Sequence, residues 1–205
     1  MAKILPVKNG TKKDAITKKA VTLFKEKGFS ATTMRDLAEA IGVEAPSLYN
    51  HIGSKNEILQ EICFKIANLF IAHIEEVEVS TQSVLVKMEL IMRFHIKMMI
   101  DEYESVYISD HEWKHLPEPY LSNFKNQRRI YRGRLADIVQ QGISNNELKK
   151  INPYVAVLTM LSAIGGIERR ERRVPSACVC QSHPGAGRAG HRSGPTRACA
   201  GAART

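Results

Sequence analysis

The chain has 205 residues, of which 43% are hydrophobic and 25% charged, a composition typical of soluble globular proteins with one large or two small domains. No apolar run reaches the about 18–20 residues that a membrane span needs, and the N-terminus lacks the apolar stretch of a secretory signal, so we expect a cytoplasmic protein without a membrane partner. The net charge of +9 is uneven, with +4 on residues 1–60, −1 on residues 61–167 and +6 on residues 168–205. The basic ends indicate either a nucleic-acid partner or ordinary solvated faces.

The first predicted helix covers residues 12–27. Its apolar residues Ile16, Ala20, Leu23 and Phe24 recur at the spacing of one helix face. Gly28 follows, and glycine is the usual residue just beyond a helix end. We therefore predict an amphipathic helix that ends at Gly28.

Two short helices are predicted next. The segment "TMRD" (33–36) has the form of a capping box, and the helix that it starts is expected to end at Gly42. Pro46 suits the first turn of a third helix, where its missing N–H costs nothing. Val43, Leu48 and Ile52 are predicted to face the interior.

The remainder of the chain is also predicted to be helical. Ser54 and Glu57 form a second capping box before a long fourth helix that the segment 79–83 ends. No strand or repeat is recognisable, and the predicted class is all-α. The further helices are expected at 84–100 and 118–141, the latter ended by Gly142, with a last one starting at Asn152 and Pro153, while 105–110 is either a short helix or a turn.

The segment "MRDLAEAIGVEAPSLYNHI" joins two short helices by a glycine turn, which is typical of a helix-turn-helix. In such a motif the second helix enters the DNA major groove, so it must expose short or polar groups on one side. Here these residues are Ala45, Pro46, Ser47, Tyr49 and Asn50.

Residues 12–60, and "GVEAPSLYNHIGSK" in particular, resemble the N-terminal domain of the TetR family of bacterial repressors. The resemblance implies a three-helix helix-turn-helix DNA-binding domain (1–53), joined by a long fourth helix to a helical ligand-binding and dimerisation domain (54–167). It further implies a homodimer that binds a palindromic double-stranded operator and is released by a small apolar or amphipathic effector. No cofactor is implied.

The resemblance also implies roles for single residues. Tyr49, Lys55 and Thr33 match positions that contact DNA phosphates, and Arg35 matches an arginine that can read a guanine edge. Ala45, Pro46 and Ser47 match base-facing positions. In tetracycline-responsive members a glutamine stands at position 45 and a tryptophan at position 50, where this chain has Ala45 and Asn50, so a different operator is expected.

Structural alternatives remain open for these residues. Arg35 and Lys55 could be ordinary surface residues. Tyr49 and His51, the latter also counted among the DNA-facing residues, could instead pack against the first and fourth helices.

Effector-binding residues are expected on the middle helices. Methionine suits an adaptable apolar pocket, although a methionine stripe at helical spacing is also typical of plain core. The segment "SDHEWKHLPEP" (109–119) is similar to one in family members that sense acyl-CoA or steroid-derived thioesters. His95, His111 and His115 do not form a persuasive metal set. The predicted ligand-binding residues are Met92, His95, Met99, Trp113, Phe124 and Tyr131.

The segment 168–205 differs in composition from all that precedes it. It contains eight arginines and no lysine, and it lacks leucine, isoleucine and aromatic residues, so we expect a disordered tail, possibly from a frame shift or fusion. Family members dimerise through their last two helices, and residues 153–167 match only the first. The alternative is therefore a truncated or frame-shifted family member with impaired dimerisation and little specific DNA binding.

An enzyme is not expected. The sequence shows no glycine-rich phosphate loop, no Gly-x-Ser-x-Gly, no His-Glu-x-x-His and no spaced cysteine pairs.

Overall fold

A computed structural model describes residues 12–171 and their side chains as far as Gly165. Every regular element in this part of the chain is helical, as the sequence predicts, and the segment 105–110 lies within a helix. The α-helices are α1 (Lys12–Lys27), α2 (Met34–Ile41), α3 (Ala45–Tyr49), α4 (Lys55–Val79), α5 (Val84–Asp101), α6 (Tyr103–His111), α7 (Tyr120–Ser144) and α8 (Pro153–Glu171), with one 3-10 turn, Trp113–His115, between α6 and α7.

The predicted ends of the first helices are confirmed. Gly28 and Gly42 have φ angles of 85° and 77°, in the left-handed region that glycine adopts without strain. Thr33 caps α2 in a full capping box with Asp36, and Pro46 lies in the first turn of α3. These signals are local in sequence, which is why they could be recognised there.

The first hydrophobic core joins the N-terminal helices to the rest of the molecule. It contains Phe24 of α1, Leu37 of α2 and Leu48 of α3, packed against the N-terminal half of α4. Ile108 of α6 and Phe124 of α7 belong to the same core. Helix α1 packs on both α4 and α6, and so joins the helix-turn-helix to the rest of the molecule.

A second core lies at the other end of α4. It joins Ile74 of α4 to Ile91 of α5, Ile138 of α7 and Val157 of α8. A smaller cluster of Ile66, Met98 and Val106 lies between α4, α5 and α6. Because α4 contributes to every cluster, it is the central helix of the described structure.

Three sequence predictions need correction here. Gly142 does not end α7, which continues to Ser144; it is buried instead where a Cβ would come within 2.7 Å of side-chain carbons of Leu148 and Val84. Glu57 does not complete a capping box with Ser54, since its Oε2 accepts from the N–H of Gly53 at 2.9 Å. Helix α8 continues past residue 167 to Glu171, and the rest of the predicted tail, 172–205, lies outside the described residues.

Candidate nucleic-acid interface and ligand cavity

The N-terminus of α2 is held by a closed set of hydrogen bonds. The Thr33 hydroxyl donates to Oδ2 of Asp36 and accepts from the Asp36 N–H at 3.1 Å, while the Thr33 N–H donates to the same carboxylate at 2.7 Å. Lys27 adds an ion pair at 3.0 Å. The hydrogen bonds from Thr33, followed by Lys27, hold the pKa of Asp36 well below its usual range. Thr33, which is predicted to contact a DNA phosphate, is exposed. Its hydroxyl and its N–H already form the hydrogen bonds that cap α2.

The turn between α2 and α3 fixes the angle of the second helix. The N–H of Gly42 donates to the carbonyl oxygen of Glu39 at 3.0 Å, and the N–H of Val43 donates to that of Ala38 at 3.0 Å. Both bonds satisfy carbonyls at the end of α2. The chain then enters α3 with a defined direction.

Helix α3 presents most of its predicted DNA-facing residues to solvent. Leu48 is 1% exposed and fixes the helix to the first core, whereas Tyr49 is 53% exposed. Pro46, Ser47 and Asn50 are exposed too, but Ala45 is half-buried against the core. The structure thus brings these residues together on one short helix, with Ala45 as the least accessible.

Exposure bears on two of the structural alternatives. His51 is exposed and Tyr49 keeps 53% of its surface accessible, so neither side chain is buried between α1 and α4. The DNA-contacting roles of both residues stay predictions. Arg35 is exposed on α2, in keeping with either interpretation of it.

Lys55 has an environment that the sequence did not predict. Its ammonium donates to the backbone carbonyl oxygens of Phe29, Thr32 and Ser30 at 2.9, 3.0 and 3.3 Å. It also lies 4.6 Å from the centroid of the Phe29 ring. The side chain therefore links the start of α4 to the turn between α1 and α2.

A cavity of about 310 Å³ opens between α4, α5, α6, α7 and α8, which is within the about 300–1,000 Å³ of small-molecule sites. Of the predicted ligand-binding residues, His95, Met99, Phe124 and Tyr131 line it. Met92 and Trp113 do not line the cavity, so the prediction that they bind the ligand there is wrong. Met92 lies elsewhere on α5, and Trp113 packs with its ring 6.3 Å from that of Phe124, outside the lining.

The cavity wall also contains residues that sequence reasoning missed. Their apolar positions on α4 and α8 follow the helical period, which does not distinguish the wall of a cavity from a packed core. The missed lining residues are Ile66, Ala67, Phe70 and Ile71 of α4, Val106, Ser109 and Asp110 of α6, Gln127, Arg128 and Arg132 of α7, and Leu158, Leu161, Ser162, Ile164 and Gly165 of α8.

One polar pair stands in the apolar part of the cavity wall. Nε2 of His95 lies 2.8 Å from the hydroxyl of Tyr131, and Phe70 packs on the imidazole with ring centroids 4.5 Å apart. Burial lowers the pKa of His95 to about 4, while the carboxylate of Asp110 opposes this effect. Burial likewise raises the pKa of Tyr131. Both groups are thus neutral at pH 7 and can exchange hydrogen bonds with a ligand.

The cavity also has a charged edge. Arg128 forms an ion pair with Asp110 at 2.7 Å, and its guanidinium lies 5.7 Å from the centroid of Phe124. Arg132 is a further exposed arginine in the lining. An apolar interior beside a basic edge suits an amphipathic molecule.

The described residues contain no candidate metal centre or membrane span. Between residues 12 and 171, no three His, Cys, Asp or Glu side chains are grouped so as to hold a metal ion. None of the helices in this range is long and apolar enough to cross a membrane. Cys63 is buried, and burial raises the pKa of its thiol to about 12, so it carries no thiolate at neutral pH.

Comparison with known proteins gives two family matches that follow one another along the chain. Residues 16–62 match the model described as bacterial regulatory proteins of the tetR family. Residues 81–169 match the model described as the tetracyclin repressor-like C-terminal domain. The first match contains α2 and α3, and the second contains α5 to α7 and most of α8.

Individual relatives agree with these matches. The chain is 24% identical over 150 residues to the HTH-type transcriptional repressor KstR2 of Mycolicibacterium smegmatis. This aligned region covers 73% of this chain and 73% of the relative. Matches to KstR2 proteins span 62 to 73% of those proteins' own length. Among solved structures, the TetR-family regulator PfmR of Thermus thermophilus aligns with a TM-score of 0.68 at 26% identity over 75% of this chain and 84% of its own. AibR in complex with isovaleryl coenzyme A and operator DNA aligns with a TM-score of 0.68 at 21% identity. The alignment covers 78% of this chain and 86% of the AibR chain.

Proposed function

Because the chain belongs to the tetR family of bacterial regulatory proteins, we propose that it is a transcriptional repressor that binds a palindromic operator as a homodimer and is released by a small effector. The observation that carries this proposal is the exposed face of α3, where Ser47 and Tyr49 stand on the buried anchor Leu48. The described residues leave more than half of the Tyr49 surface uncovered, and a helix that enters the major groove needs such an accessible face.

The DNA contacts follow from the positions of α2 and α3. With α3 in the major groove, Pro46 and Ser47 face base edges, and Tyr49 reaches the phosphate backbone. Arg35 on α2 is long enough and exposed enough to donate two hydrogen bonds to a guanine. Phosphate contacts of this kind position the protein, and base contacts give sequence preference.

The apolar surface of α8 supports the homodimer. Tyr154, Val155 and Leu158 are 63, 59 and 53% exposed, which is unusual for large apolar side chains on neighbouring turns of one helix. A two-fold dimer would bury the same surface of both subunits. To read two half-sites on successive turns of DNA, the two α3 helices of such a dimer must lie about 34 Å apart.

The cavity supports an amphipathic effector. The related fold of AibR was solved with isovaleryl coenzyme A and operator DNA, and the cavity here combines apolar walls with Arg128 and Arg132 at its edge. We therefore propose acyl thioesters as the first effector class to test, with the acyl part beside Phe70 and Met99. The chain is not proposed to act on this molecule as an enzyme.

Release follows if the effector favours a position of α4 that operator binding disfavours. Ile66, Ala67, Phe70 and Ile71 of α4 line the cavity, while the N-terminal half of the same helix belongs to the core that anchors α3. A ligand shifts such an equilibrium only by its difference in affinity for the two states. The proposal thus requires a ligand that packs better against the shifted α4.

Binding-site selection from random duplex DNA tests the proposal directly. We expect a palindromic consensus, and sedimentation of the protein with one selected duplex should give two chains per duplex. Isovaleryl coenzyme A, added to that complex as a first probe, should raise the apparent Kd. A monomer that enriches no sequence would refute the repressor and favour the alternative of a truncated or frame-shifted chain.

A further inference from the structure

Lys55 uses all the hydrogen-bonding capacity of its ammonium within the protein. An ammonium has three N–H donors, and three carbonyl oxygens, those of Phe29, Ser30 and Thr32, lie 2.9 to 3.3 Å from its nitrogen. The Phe29 ring covers the group at 4.6 Å. No donor is left over for a further partner in this arrangement.

The position of Lys55 in α4 explains why these carbonyls attract it. It is the first residue of the helix, where the exposed N–H groups make a cation unfavourable. When the side chain turns toward the α1–α2 turn, its ammonium meets the partial negative charge of carbonyl oxygens instead of the partial positive charge of the helix N–H groups. The partners are main-chain atoms, so the interaction fixes the backbone of the turn.

The same turn is held from its other side by Thr32. This residue is fully buried, and its hydroxyl donates to the carbonyl oxygen of Gly28 at 2.9 Å. Phe29 is buried as well, and the His115 ring stacks on it at a centroid distance of 5.3 Å. The turn leads directly into Thr33, the cap of α2.

We infer that Lys55 is a positioning residue for the DNA-reading face, and that it is not a phosphate contact. It holds the α1–α2 turn against α4 and so sets where α2, with Thr33 and Arg35, meets the DNA. Moving the ammonium to a phosphate would leave three carbonyl oxygens without their donor, two of them in partly buried bonds. The inference rests on the proposed function, because it presumes that this face binds an operator.

Two substitutions separate positioning from phosphate binding. Lys55→Arg keeps the positive charge and is a good phosphate ligand, but its planar fork cannot donate to three carbonyls arranged around one point. Lys55→Gln removes the charge. Lys97→Gln, at an exposed lysine of α5, is the matched control for the loss of one charge.

The readout is the Kd for the palindromic duplex that the wild-type protein selects, measured over a series of salt concentrations. We expect both Lys55 variants to raise Kd about tenfold, as for the loss of hydrogen bonds to a charged group. The slope of log K against log salt should change by much less than the about 0.9 that one lost phosphate contact gives. Lys97→Gln should match the wild type. Wild-type affinity in Lys55→Arg, together with a slope reduced by about 0.9 in Lys55→Gln, would overturn the inference.

A measurement on the free protein keeps this test independent of the proposed function. Amide hydrogen exchange at residues 29–36 should accelerate in both Lys55 variants and stay unchanged in Lys97→Gln. Unchanged exchange in the Lys55 variants would refute the positioning role, whatever the protein does with DNA. Accelerated exchange in a protein that binds no operator would support the positioning of the turn and refute the repressor instead.

Discussion

The neutral state of His95 makes the stability of the protein depend on pH. Its pKa falls from the ordinary 6.5 to about 4 because the ring is buried in the cavity wall. Between pH 6.5 and pH 4, His95 is therefore protonated in the unfolded chain but neutral in the folded protein. Stability is complete above pH 6.5 and is lost as the pH falls toward 4, which is the sign expected when the folded pKa is depressed.

The size of the effect follows from the same shift. At about 1.36 kcal/mol per pKa unit, the free energy of unfolding should fall by at most about 2 kcal/mol between pH 7 and pH 5. His95→Phe keeps a ring beside Phe70 and removes the titration, so its stability should change less over this interval. Tyr131→Phe should cost about 1 kcal/mol at every pH through the lost hydrogen bond but keep the wild-type dependence, because burial is the main cause of the shift.

Urea unfolding followed by circular dichroism at pH 7, 6 and 5 measures all three proteins. The difference between the wild type and His95→Phe isolates His95 from the other titrating groups. Parallel pH dependences of these two proteins would show that the ring is solvated in the folded protein. The cavity would then be wetter at this point than its wall indicates.

Other substitutions test the reading face, the subunit contact and the packing of α7. Tyr49→Ala should weaken binding to all duplexes, whereas Arg35→Ala should relax the preference at one base pair in each half-site; an unchanged consensus in a repeated selection would remove Arg35 from the base-reading set. Val155→Asp should shift the sedimenting species from dimer toward monomer, and a persistent dimer would place the interface elsewhere. Gly142→Ala should lower the free energy of unfolding by about 1–3 kcal/mol, because its Cβ would overlap the side chain of Leu148; an unchanged urea midpoint would mean that Leu148 gives way.

The N-terminal helices could be predicted from sequence because their signals are short-range. A capping box, a glycine at a helix end and a proline in a first turn each involve residues within four positions of one another. The exposed side of α3 followed from its composition once Leu48 was taken as the anchor. The family resemblance then added DNA-binding roles for single residues, but it predicted no contact between side chains within the protein.

Apart from the Glu57 capping box, whose carboxylate accepts from nearby Gly53, the errors arise where distant segments meet. Gly142 resembles a helix terminator in sequence. In the structure, however, a side chain at this position would collide with Leu148, and glycine leaves the room that Leu148 occupies. Lys55 resembles a solvated lysine, because nothing near it in sequence reveals carbonyl oxygens from residues 29–32. The apolar stripe of α4 has the same period whether it faces a core or a cavity, so Phe70 could not be recognised as a lining residue.

The length of α4 connects the cavity to the reading face. Ile66, Ala67, Phe70 and Ile71 line the cavity, and Lys55 is at the N-terminus of the same helix. At 1.5 Å per residue these points are about 17–24 Å apart along the axis. A tilt of about 5° at the cavity would therefore displace the first turn of α4 by about 1.5–2 Å, more than a hydrogen bond to DNA tolerates.

This displacement would not stay within α4. Through the carbonyl oxygens of the α1–α2 turn, Lys55 would carry the turn and the cap of α2 with it. His115, in the 3-10 turn that follows α6, holds the same turn by stacking on Phe29, and α6 contributes Ser109 and Asp110 to the cavity lining. An effector that separates α4 from α6 would thus pull on Phe29 from two directions. On this argument a Lys55 variant should lose part of the effector response as well as operator affinity, whereas a lost phosphate contact would lower affinity and leave the response intact.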